Sequence, residues 1–400
     1  MVDDPGNYLR QDHLLIPSIT AGRKVKVAMG YSFKGYMRSD GSAGTRNNIG
    51  IISSVICSST VTNEIASKID YAVPIVHSNG CAQLGDDFSV TKSMLSGVAE
   101  NPNFHSNLLI GLGCETNQVT GLLAAIPNVK PIDGFSIQQM AGGTNTVAKG
   151  VAIASEWSKD ITNEQRTDLP ISKLKIGVIT TDMDEQTLAI TTPVVSALID
   201  ELLENDSTVI CSLTRTLEPS GKILATKTKD TRSKEMLKTL SEGLNRRRWE
   251  NDEGYALSVF SDEEKSLAAH EARLLGSKDL VEFLNINEKP SNRGLYLLKS
   301  SDNIVETISN FVSVGCNVAL IISKEGILTT SNVIPCISLA PCNESQIHRD
   351  HVDFYIARGN EEKQTVTLLE KLLQVSSGEL TALEEYELGE FAIPHIGTTF

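Results

Sequence analysis

Three cysteines lie at or near the ends of apolar runs in the first third of the chain. Cys81 and Cys114 each follow a glycine, in HSNGCAQLGDD and GLGCE, and Cys57 ends the run IGIISSVIC. Thiolate and imidazole groups bind borderline metals, and a metal with an open coordination position acts as a Lewis acid. With His77 nearby, the cysteines therefore predict a metal site. The alternative is that each is a small buried hydrophobe, since the chain contains no C-x-x-C pair.

Two glycine-containing segments could bind an anion. Asp40, Arg46 and Asn47 belong to GYMRSDGSAGTRNN, where an arginine can grip a carboxylate through two parallel hydrogen bonds. The other interpretation of this segment is an ordinary turn with an Asp-Gly signal. Further along, Gly142, Gly143 and Thr144 open a helical pattern and could offer backbone N–H groups to an anion.

Strand, loop and helix patterns alternate four times before residue 157. Predicted strands cover 49–56, 73–76, 108–112 and 129–137, and predicted helices cover 60–68, 91–99, 119–126 and 143–157. This alternation predicts a parallel sheet with helices on both faces. Ligands bind such sheets at the carboxyl ends of the strands, where Cys57, Cys81, Cys114 and Gly142-Gly143 all fall. The sequence thus predicts that these four loops meet at one edge.

The predicted fold class is α/β, with two domains that each have a mainly parallel sheet flanked by helices. The polar, proline-containing segment 160–172 precedes a second α/β set and marks the boundary. We therefore predict an N-terminal arm over 1–29, a first domain over 30–165 and a second over 166–400. His105 is expected in a loop. Four further cysteines are expected to be buried hydrophobes: Cys211, Cys316, Cys336 and Cys342.

Charge and composition exclude several classes of protein. The 400 residues carry 36 Lys plus Arg against 50 Asp plus Glu, a net charge of -14, which argues against binding to nucleic acid or anionic membranes. The chain contains no run of 18 apolar residues, and its acidic N-terminus lacks the pattern of a signal peptide. Seven cysteines without a secretory signal do not suggest a disulfide framework. We expect a cytoplasmic protein.

Four motifs together resemble a known family. GYMRSDGSAGTRN, HSNGCAQLGDD, GLGCETNQ and IQQMAGGTNT resemble, in order and spacing, the second domain of the altronate dehydratase and galactarate dehydratase family. The resemblance is strong over residues 30–155. It implies a hydro-lyase that uses iron or another divalent metal to convert a sugar acid, an aldonate or an aldarate, into a 2-keto-3-deoxy acid. An iron–sulfur cluster with one open iron is the alternative cofactor.

The resemblance also implies roles for particular residues. Catalysis is assigned to His77, Arg46, Asp40 and Gln83, with His77 as acid or base and Arg46 on the substrate carboxylate. Further substrate contacts are assigned to Asn47, Gly142, Gly143 and Thr144. The residues that would face the metal or the substrate are Cys81, Cys114, Cys57 and Glu115. We also expect a homo-oligomer, and a separate small subunit that supplies the small N-terminal domain of full-length family members.

The second half of the chain departs from the family in several loops. EEKSL, VGCN, VIPCISL and EFAIPHIGTTF still resemble the family, but TTDMDEQ stands where the family has a Cys-Gly-Gly-Ser-Asp loop, and SKEG where it has Thr-Gly-Arg-Gly. These changes keep two alternatives open. One is a non-catalytic paralogue that binds a sugar acid or pairs with an active homologue. The other is a lyase or isomerase with a different substrate.

Overall fold

Two parallel sheets and one small antiparallel sheet organise the chain. The computed structural model describes residues 30–81, 83–213, 216–241, 260–299, 301, 303–342 and 349–395. From Tyr31 onward these residues form one compact unit. The predicted α/β class, with two mainly parallel sheets flanked by helices, is confirmed. The predicted N-terminal arm lies outside the described residues.

The first sheet comprises β3, β4, β5 and β6 in the order β4-β3-β5-β6, with every pair parallel. Its two central strands, β3 and β5, are almost entirely buried, as expected when helices cover both faces of a sheet. The elements of this part are β1 Ser32–Met37, β2 Ala43–Gly44, β3 Asn48–Ser53, a 3-10 helix Ile56–Ser58, α1 Ser59–Ala66, β4 Ala72–Ile75, α2 Gly85–Glu100, β5 Phe104–Gly111, α3 Val119–Leu123, β6 Ile132–Ser136, α4 Gly143–Asn163 and β7 Thr167–Pro170.

The second sheet contains seven parallel strands in the order β10-β11-β9-β8-β12-β13-β14 within the described residues. A capping box between Ser261 and Glu264 begins helix α8, and the Asp184 side chain caps α5. The elements are a 3-10 helix Ile171–Lys173, β8 Lys175–Thr180, α5 Glu185–Glu204, β9 Thr208–Leu213, α6 Leu217–Thr226, α7 Thr231–Ser241, α8 Asp262–Glu271, a 3-10 helix Ala272–Leu275, β10 Leu280–Leu284, β11 Leu295–Leu298, α9 Ile304–Ser313, β12 Val318–Ile322, β13 Cys336–Pro341, a 3-10 helix Arg349–His351, β14 Phe354–Ile356, α10 Glu361–Ser376 and α11 Ala382–Glu385.

A shared hydrophobic core joins the two parallel sheets. Ile52 and Leu109 of the first sheet belong to the same buried cluster as Ile179 and Ile321 of the second, together with side chains of α2 and α9. Helix α2 approaches α9 closely because Gly97 lies against the Ser313 carbonyl, where a Cβ would not fit. The amino ends of the sheets also meet, since the side chain of Asn103 donates to the carbonyl of Asn317.

Some predicted elements differ from the structure. The polar stretch ahead of β3 forms a hairpin, in which β1 pairs with β2, and the predicted boundary segment contains β7, which pairs with β1. β7 follows the predicted boundary at 165/166 but pairs with β1, which precedes it. The sheets therefore do not locate the boundary, which stays a prediction. The turn of the hairpin carries Asp40 and Gly41, in agreement with the Asp-Gly signal.

Two residue predictions are wrong. His105 lies in β5 and is buried, because the strand begins one residue earlier, directly after the NPN turn. Cys342 is exposed, because it follows the last residue of β13 at the surface, whereas Cys211, Cys316 and Cys336 are buried as predicted. Burial raises the pKa of Cys316 to about 12 and that of Cys336 to about 11, which keeps both thiols protonated.

No helix of the described residues is long and apolar enough to cross a membrane. The cytoplasmic location stays a prediction.

Candidate functional site

The carboxyl edge of the first sheet gathers the loops that the sequence singled out. Because β4, β3, β5 and β6 are parallel neighbours in that order, the loops bearing Cys81, Cys57, Cys114 and Gly142 leave the same edge in that order. The chain moves from β3 to β4 on one side and then to β5 on the other, so the strand order reverses between β3 and β5. Such a switch point opens a crevice between neighbouring loops.

A buried carboxylate lies at this switch point. Glu115, which is 4% exposed, accepts a hydrogen bond from the Ser54 hydroxyl at 2.9 Å and one from the Gly113 amide at 2.5 Å. Gly111 makes room for it, since a Cβ at that position would collide with Glu115 Oε1. No ion pair with Glu115 is seen among the described residues. The loops after β3 and β5 are thus joined through one carboxyl group, and Ser54 is a partner that sequence reasoning missed.

The glycines before the two cysteines have a structural explanation. Gly80 has φ +104°, and a Cβ there would lie 2.8 Å from the Ser54 carbonyl oxygen. Gly113 has φ +122°, and a Cβ there would lie 2.6 Å from Gln138 Oε1. Both positions combine left-handed backbone with close packing against the neighbouring loop, which only glycine tolerates well. The glycines therefore turn the chain so that the following cysteines face outward.

The three cysteines suit a metal by type but are not gathered by this structure. Cys57, Cys81 and Cys114 are all exposed. In the part of the chain that the structure describes, no three His, Cys, Asp or Glu side chains come together in a group that could hold a metal ion. Glu115, the buried carboxylate between these loops, accepts hydrogen bonds from Ser54 and Gly113. The residues present therefore do not form a ready metal site, and the metal stays a prediction.

His77 is buried, with both ring nitrogens engaged. Nε2 lies 2.9 Å from the Ser53 carbonyl oxygen and so carries the proton, and Nδ1 accepts a hydrogen bond from the Asn79 amide at 3.2 Å. Burial lowers the pKa of His77 from 6.5 to about 4, and the bond to Ser53 opposes this shift only in part. The imidazole is therefore neutral at physiological pH. Its role as acid or base stays a prediction, which this arrangement does not favour.

We expect His77 to destabilise the fold as the pH falls from about 6.5 to about 4, because the unfolded chain takes up the proton first. The difference between those pKa values corresponds to about 3 kcal/mol of unfolding free energy. Urea unfolding at several pH values, with His77→Gln for comparison, measures this pH-dependent contribution of His77 to the free energy of unfolding. The loss of stability on acidification should be smaller in the variant. An NMR titration of the His77 ring with a midpoint near its ordinary value would contradict the prediction.

Gln83 lies near this edge and is also buried. It sits at the end of the Cys81 loop, just before α2, and its Oε1 has no hydrogen-bond partner among the described residues. A buried amide oxygen without a donor is costly, so a hydroxyl or water from outside the chain would stabilise it. The predicted role of Gln83 in catalysis is untested, and its free acceptor is compatible with a contact to a hydroxylated ligand.

The start of α4 offers open backbone donors at the same edge. Gly142 has φ +129°, and nothing within 4 Å would meet a Cβ there, so the space beside this residue is open. The first turn contains no acidic residue and no side-chain cap. The amides of Gly143 and Thr144 therefore lie at the positive end of an uncapped helix, which suits an anion.

Asp40, Arg46 and Asn47 precede β3 and so lie toward the amino end of the sheet, away from the cysteine loops. A strand of six residues separates the two ends by roughly 17–20 Å. The carboxylate of Asp40 accepts hydrogen bonds from the Ser42 hydroxyl and amide. Burial raises the pKa of Asp40, but these bonds outweigh it and lower the pKa overall. The side-chain amide of Asn47 donates to Glu164 at 2.8 Å.

Arg46 uses all of its donors within the protein. Its guanidinium makes a two-point ion pair with Glu384, each bond 2.8 Å long, and donates to the backbone carbonyls of Thr45, Val375 and Glu379 at 2.9 Å. These five bonds account for the five N–H groups of an arginine. None is left for a substrate carboxylate, so the geometry favours a structural role over the predicted clamp, which stays untested.

Two of the loops that depart from the family pattern, TTDMDEQ and SKEG, are neighbours at the second sheet's own switch point, between β8 and β12. Lys324 Nζ lies 2.9 Å from Asp184 Oδ2, and the Lys324 amide donates to Asp182 at 3.4 Å. Beneath them, Glu271 is buried and accepts a hydrogen bond from Thr216. Burial raises the pKa of Glu271, an effect that hydrogen bonds from Thr180 and Thr216 oppose. The two changed loops are thus coupled to each other.

Comparison with known proteins accounts for nearly the whole described chain. Residues 35–162 match the model of the D-galactarate dehydratase/altronate hydrolase second domain, and residues 171–399 match that of the D-galactarate/altronate dehydratase C-terminal domain. Altronate dehydratases of Bacillus subtilis (strain 168) and Escherichia coli (strain K12) are each 24% identical, over 92% and 96% of this chain and 78% and 80% of their own.

A third relative is the (2R)-sulfolactate sulfo-lyase subunit beta of Chromohalobacter salexigens, 23% identical over 92% of this chain and 98% of its own. The two family models together cover both parallel sheets and the loops described above. The chain belongs to the D-galactarate dehydratase/altronate hydrolase family of sugar-acid dehydratases.

Proposed function

We propose that this protein is a hydro-lyase that dehydrates a sugar acid, an aldonate or an aldarate, to a 2-keto-3-deoxy acid. The relatives named altronate dehydratase support the reaction class. The observation that carries the proposal is the buried, hydrogen-bonded Glu115 at the switch point of the first sheet, between loops that bear exposed cysteines. Family membership supplies the class of reaction, and this carboxylate supplies a proton acceptor at the expected place.

The reaction needs a base for the proton on C2 and an acid for the hydroxyl on C3. Transfer of the C2 proton to a base leaves the electron pair to form the C2–C3 double bond, and the C3–O bond breaks as the hydroxyl takes up a proton and leaves as water. The resulting enol rearranges to the 2-keto acid. Because both nitrogens of His77 are engaged, we assign the base to Glu115, whose carboxylate already accepts two hydrogen bonds and retains further lone pairs.

The carboxylate of the substrate fits the start of α4. The uncapped helix end with Gly142 and Gly143 lies at the same sheet edge as Glu115, one strand away. Arg46, by contrast, lies toward the opposite end of β3 with no donor to spare. The substrate would therefore be anchored by backbone amides and the helix dipole rather than by an arginine.

We also propose a divalent metal as the cofactor, with iron as the first candidate. When bound, such an ion would polarise the substrate carboxylate and acidify the C2 proton. Cys57, Cys81 and Cys114 are the donors of suitable type at this edge. Anaerobic purification followed by metal and acid-labile sulfide analysis tests this. Stoichiometric sulfide would identify an iron–sulfur cluster instead of a mononuclear metal.

A separate small subunit is the partner that the relatives suggest. One relative that spans nearly the same length is named as a subunit beta, which implies that it works with another chain. We propose a comparable partner for this protein, along with the homo-oligomeric state expected from the sequence. Co-expression with a candidate small chain and size-exclusion chromatography with light scattering would detect both.

A specific observation favours a second candidate, a non-catalytic paralogue that binds a sugar acid or pairs with an active homologue. Both loops at the switch point of the second sheet differ from the family pattern, and the ion pair between Asp184 and Lys324 ties them together. With these loops changed, the second sheet would no longer offer the family's contacts to a substrate. Such a protein would still bind its ligand at the first sheet.

The direct test is an assay of the metal-loaded protein, with and without a candidate small subunit, on a panel of aldonates and aldarates. We expect a 2-keto-3-deoxy acid from at least one. Cys114→Ser should strongly reduce turnover, whereas Cys342→Ser should not, because Cys342 is equally exposed but follows a strand of the second sheet. Binding without product from any substrate would favour the paralogue. Equal turnover in the two variants would show that Cys114 has no role in the chemistry.

A further inference from the structure

The C-terminal tail, defined here as Leu388–His395, runs from the second sheet's side of the molecule to the candidate site. Near its start, Gly389 packs against Asn332, and the Glu390 amide donates to the Thr330 carbonyl at 3.1 Å. The Ala392 amide then donates to the Ser309 hydroxyl of α9 at 3.0 Å. Three successive contacts therefore attach the tail to elements that belong to the second family domain.

The far end of the tail contacts the loop that bears Cys81. The Asn79 side-chain amide donates to the Ile393 carbonyl at 3.1 Å. The ring of Phe391 meets the ring of His77 edge to face, with centroids 6.4 Å apart. His395 Nδ1 lies 3.3 Å from Asp87 Oδ1 in the first turn of α2, directly after the loop. The tail thus contacts the loop ahead of Cys81 and the first turn of the helix that follows it.

The opposite flank of this loop rests on the first sheet. The Ile56 amide donates to the Asn79 carbonyl at 3.0 Å, and Gly80 packs on the backbone of Ser54 and Val55. Beyond Gly80 the loop becomes exposed, at Cys81 and at Leu84, which is 80% exposed. A loop that is supported on one flank only would have several conformations available, and ordering it costs free energy. The tail provides the support on the other flank.

We propose that the C-terminal tail is a positioning element of the active site, with Phe391 and the Ile393 carbonyl holding the Cys81 loop in its working conformation. Phe391 is a positioning residue, since it acts through His77 rather than on the substrate, while the Ile393 carbonyl acts through Asn79. The effect on turnover rests on the proposed dehydratase function, but the effect on the loop does not. The site of the first sheet is accordingly incomplete without the end of the second domain.

The test uses the full chain with Phe391→Ala, the conservative Phe391→Leu, and Phe354→Ala as a matched control. Phe354 is also half-buried, but it packs on the core of the second sheet, away from the Cys81 loop. We expect Phe391→Ala to speed hydrogen exchange in residues 76–81 and to lower kcat by about tenfold with little change in KM, as a small misplacement of catalytic groups does. Phe391→Leu should retain most of the slow hydrogen exchange in residues 76–81 and most of kcat. Phe354→Ala should change neither.

Exchange over residues 76–81 that is as slow in Phe391→Ala as in the parent protein would overturn the proposal. Faster exchange spread equally over both sheets would also overturn it, since the tail would then be ordinary packing. If the parent protein shows no dehydratase activity, the proposed function fails, while the exchange data still decide the role of the tail. Unfolding curves for all three variants confirm that each folded state is populated.

Discussion

Glu115→Gln should lower the turnover of this protein by about 10²–10⁴-fold, the range expected when a catalytic acid or base is removed. Glutamine has nearly the same shape and can still accept the hydrogen bond from Ser54, although its NH2 group cannot accept the one from the Gly113 amide. The remaining bond still links the loops after β3 and β5, so they should stay in place. The glutamine amide, however, cannot take the C2 proton. The assay on the sugar-acid panel measures kcat, and thermal unfolding should show a change of only a few degrees.

Matched variants separate a base from a merely structural carboxylate. Glu362→Gln makes the same change at an exposed position in the first turn of α10, outside the candidate site, and should leave turnover unchanged. Ser54→Ala removes one hydrogen bond to Glu115 but keeps the carboxylate, so its loss should be intermediate. If Glu115→Gln retains full kcat, the assignment of the base is wrong. If it loses turnover only together with bound metal, Glu115 is a ligand.

Arg46→Met should lower the free energy of unfolding by about 3–5 kcal/mol, as expected when one partner of a buried ion pair is removed. The change deletes five hydrogen bonds and leaves Glu384 without its partner. Arg46 precedes β3, and its acceptors other than the neighbouring Thr45 carbonyl lie in α10, in α11 and between them. Four of the five bonds therefore join segments that are 329 to 338 residues apart. Urea unfolding measures the loss, while the KM of the remaining folded enzyme should stay within about twofold.

If Arg46 instead binds the substrate carboxylate, the opposite result is expected for Arg46→Met. A clamp would raise KM for the sugar acid with little change in stability, and such a result would rule out the structural role. Arg273→Met is the matched control, since Arg273 is exposed, and it should have a small effect on both quantities. A double-mutant cycle with Glu384→Gln should return a coupling energy well above that of a surface ion pair.

The loop positions could be predicted because local patterns determine them. Apolar runs such as IGIIS alternate with helical spacing, and this alternation predicts parallel strands whose loops share one edge. The small antiparallel sheet was missed because β2 has two residues and β7 four, too short for a periodic signal. His105 was misplaced for a related reason: the turn residues before it are visible in the sequence, but the start of β5 is set by pairing with β3.

The residues of the candidate site could be identified from local patterns, but their contacts could not. Gly-Cys pairs and acidic or amide neighbours identify Cys81, Cys114 and Glu115 from the sequence, because such residues at strand ends are unusual. The state of a side chain depends on partners that are distant along the chain. Ser54 and Glu115 are 61 residues apart, and Arg46 and Glu384 are 338 apart. No local pattern encodes these contacts, so the occupied nitrogens of His77 and the full set of bonds to Arg46 could not be predicted.

The α/β class, the family and the positions of the candidate-site loops could be predicted from the sequence, since each follows from local periodicity or from motifs of a few residues. Which of those residues lie together depends on the fold. It placed Arg46 and Asn47 toward the amino end of the sheet, joined the two divergent loops through Asp184 and Lys324, and brought the C-terminal tail to His77. Long-range packing around a core common to both sheets determines which side chains are buried and which hydrogen bonds they form. Local sequence patterns do not contain this information.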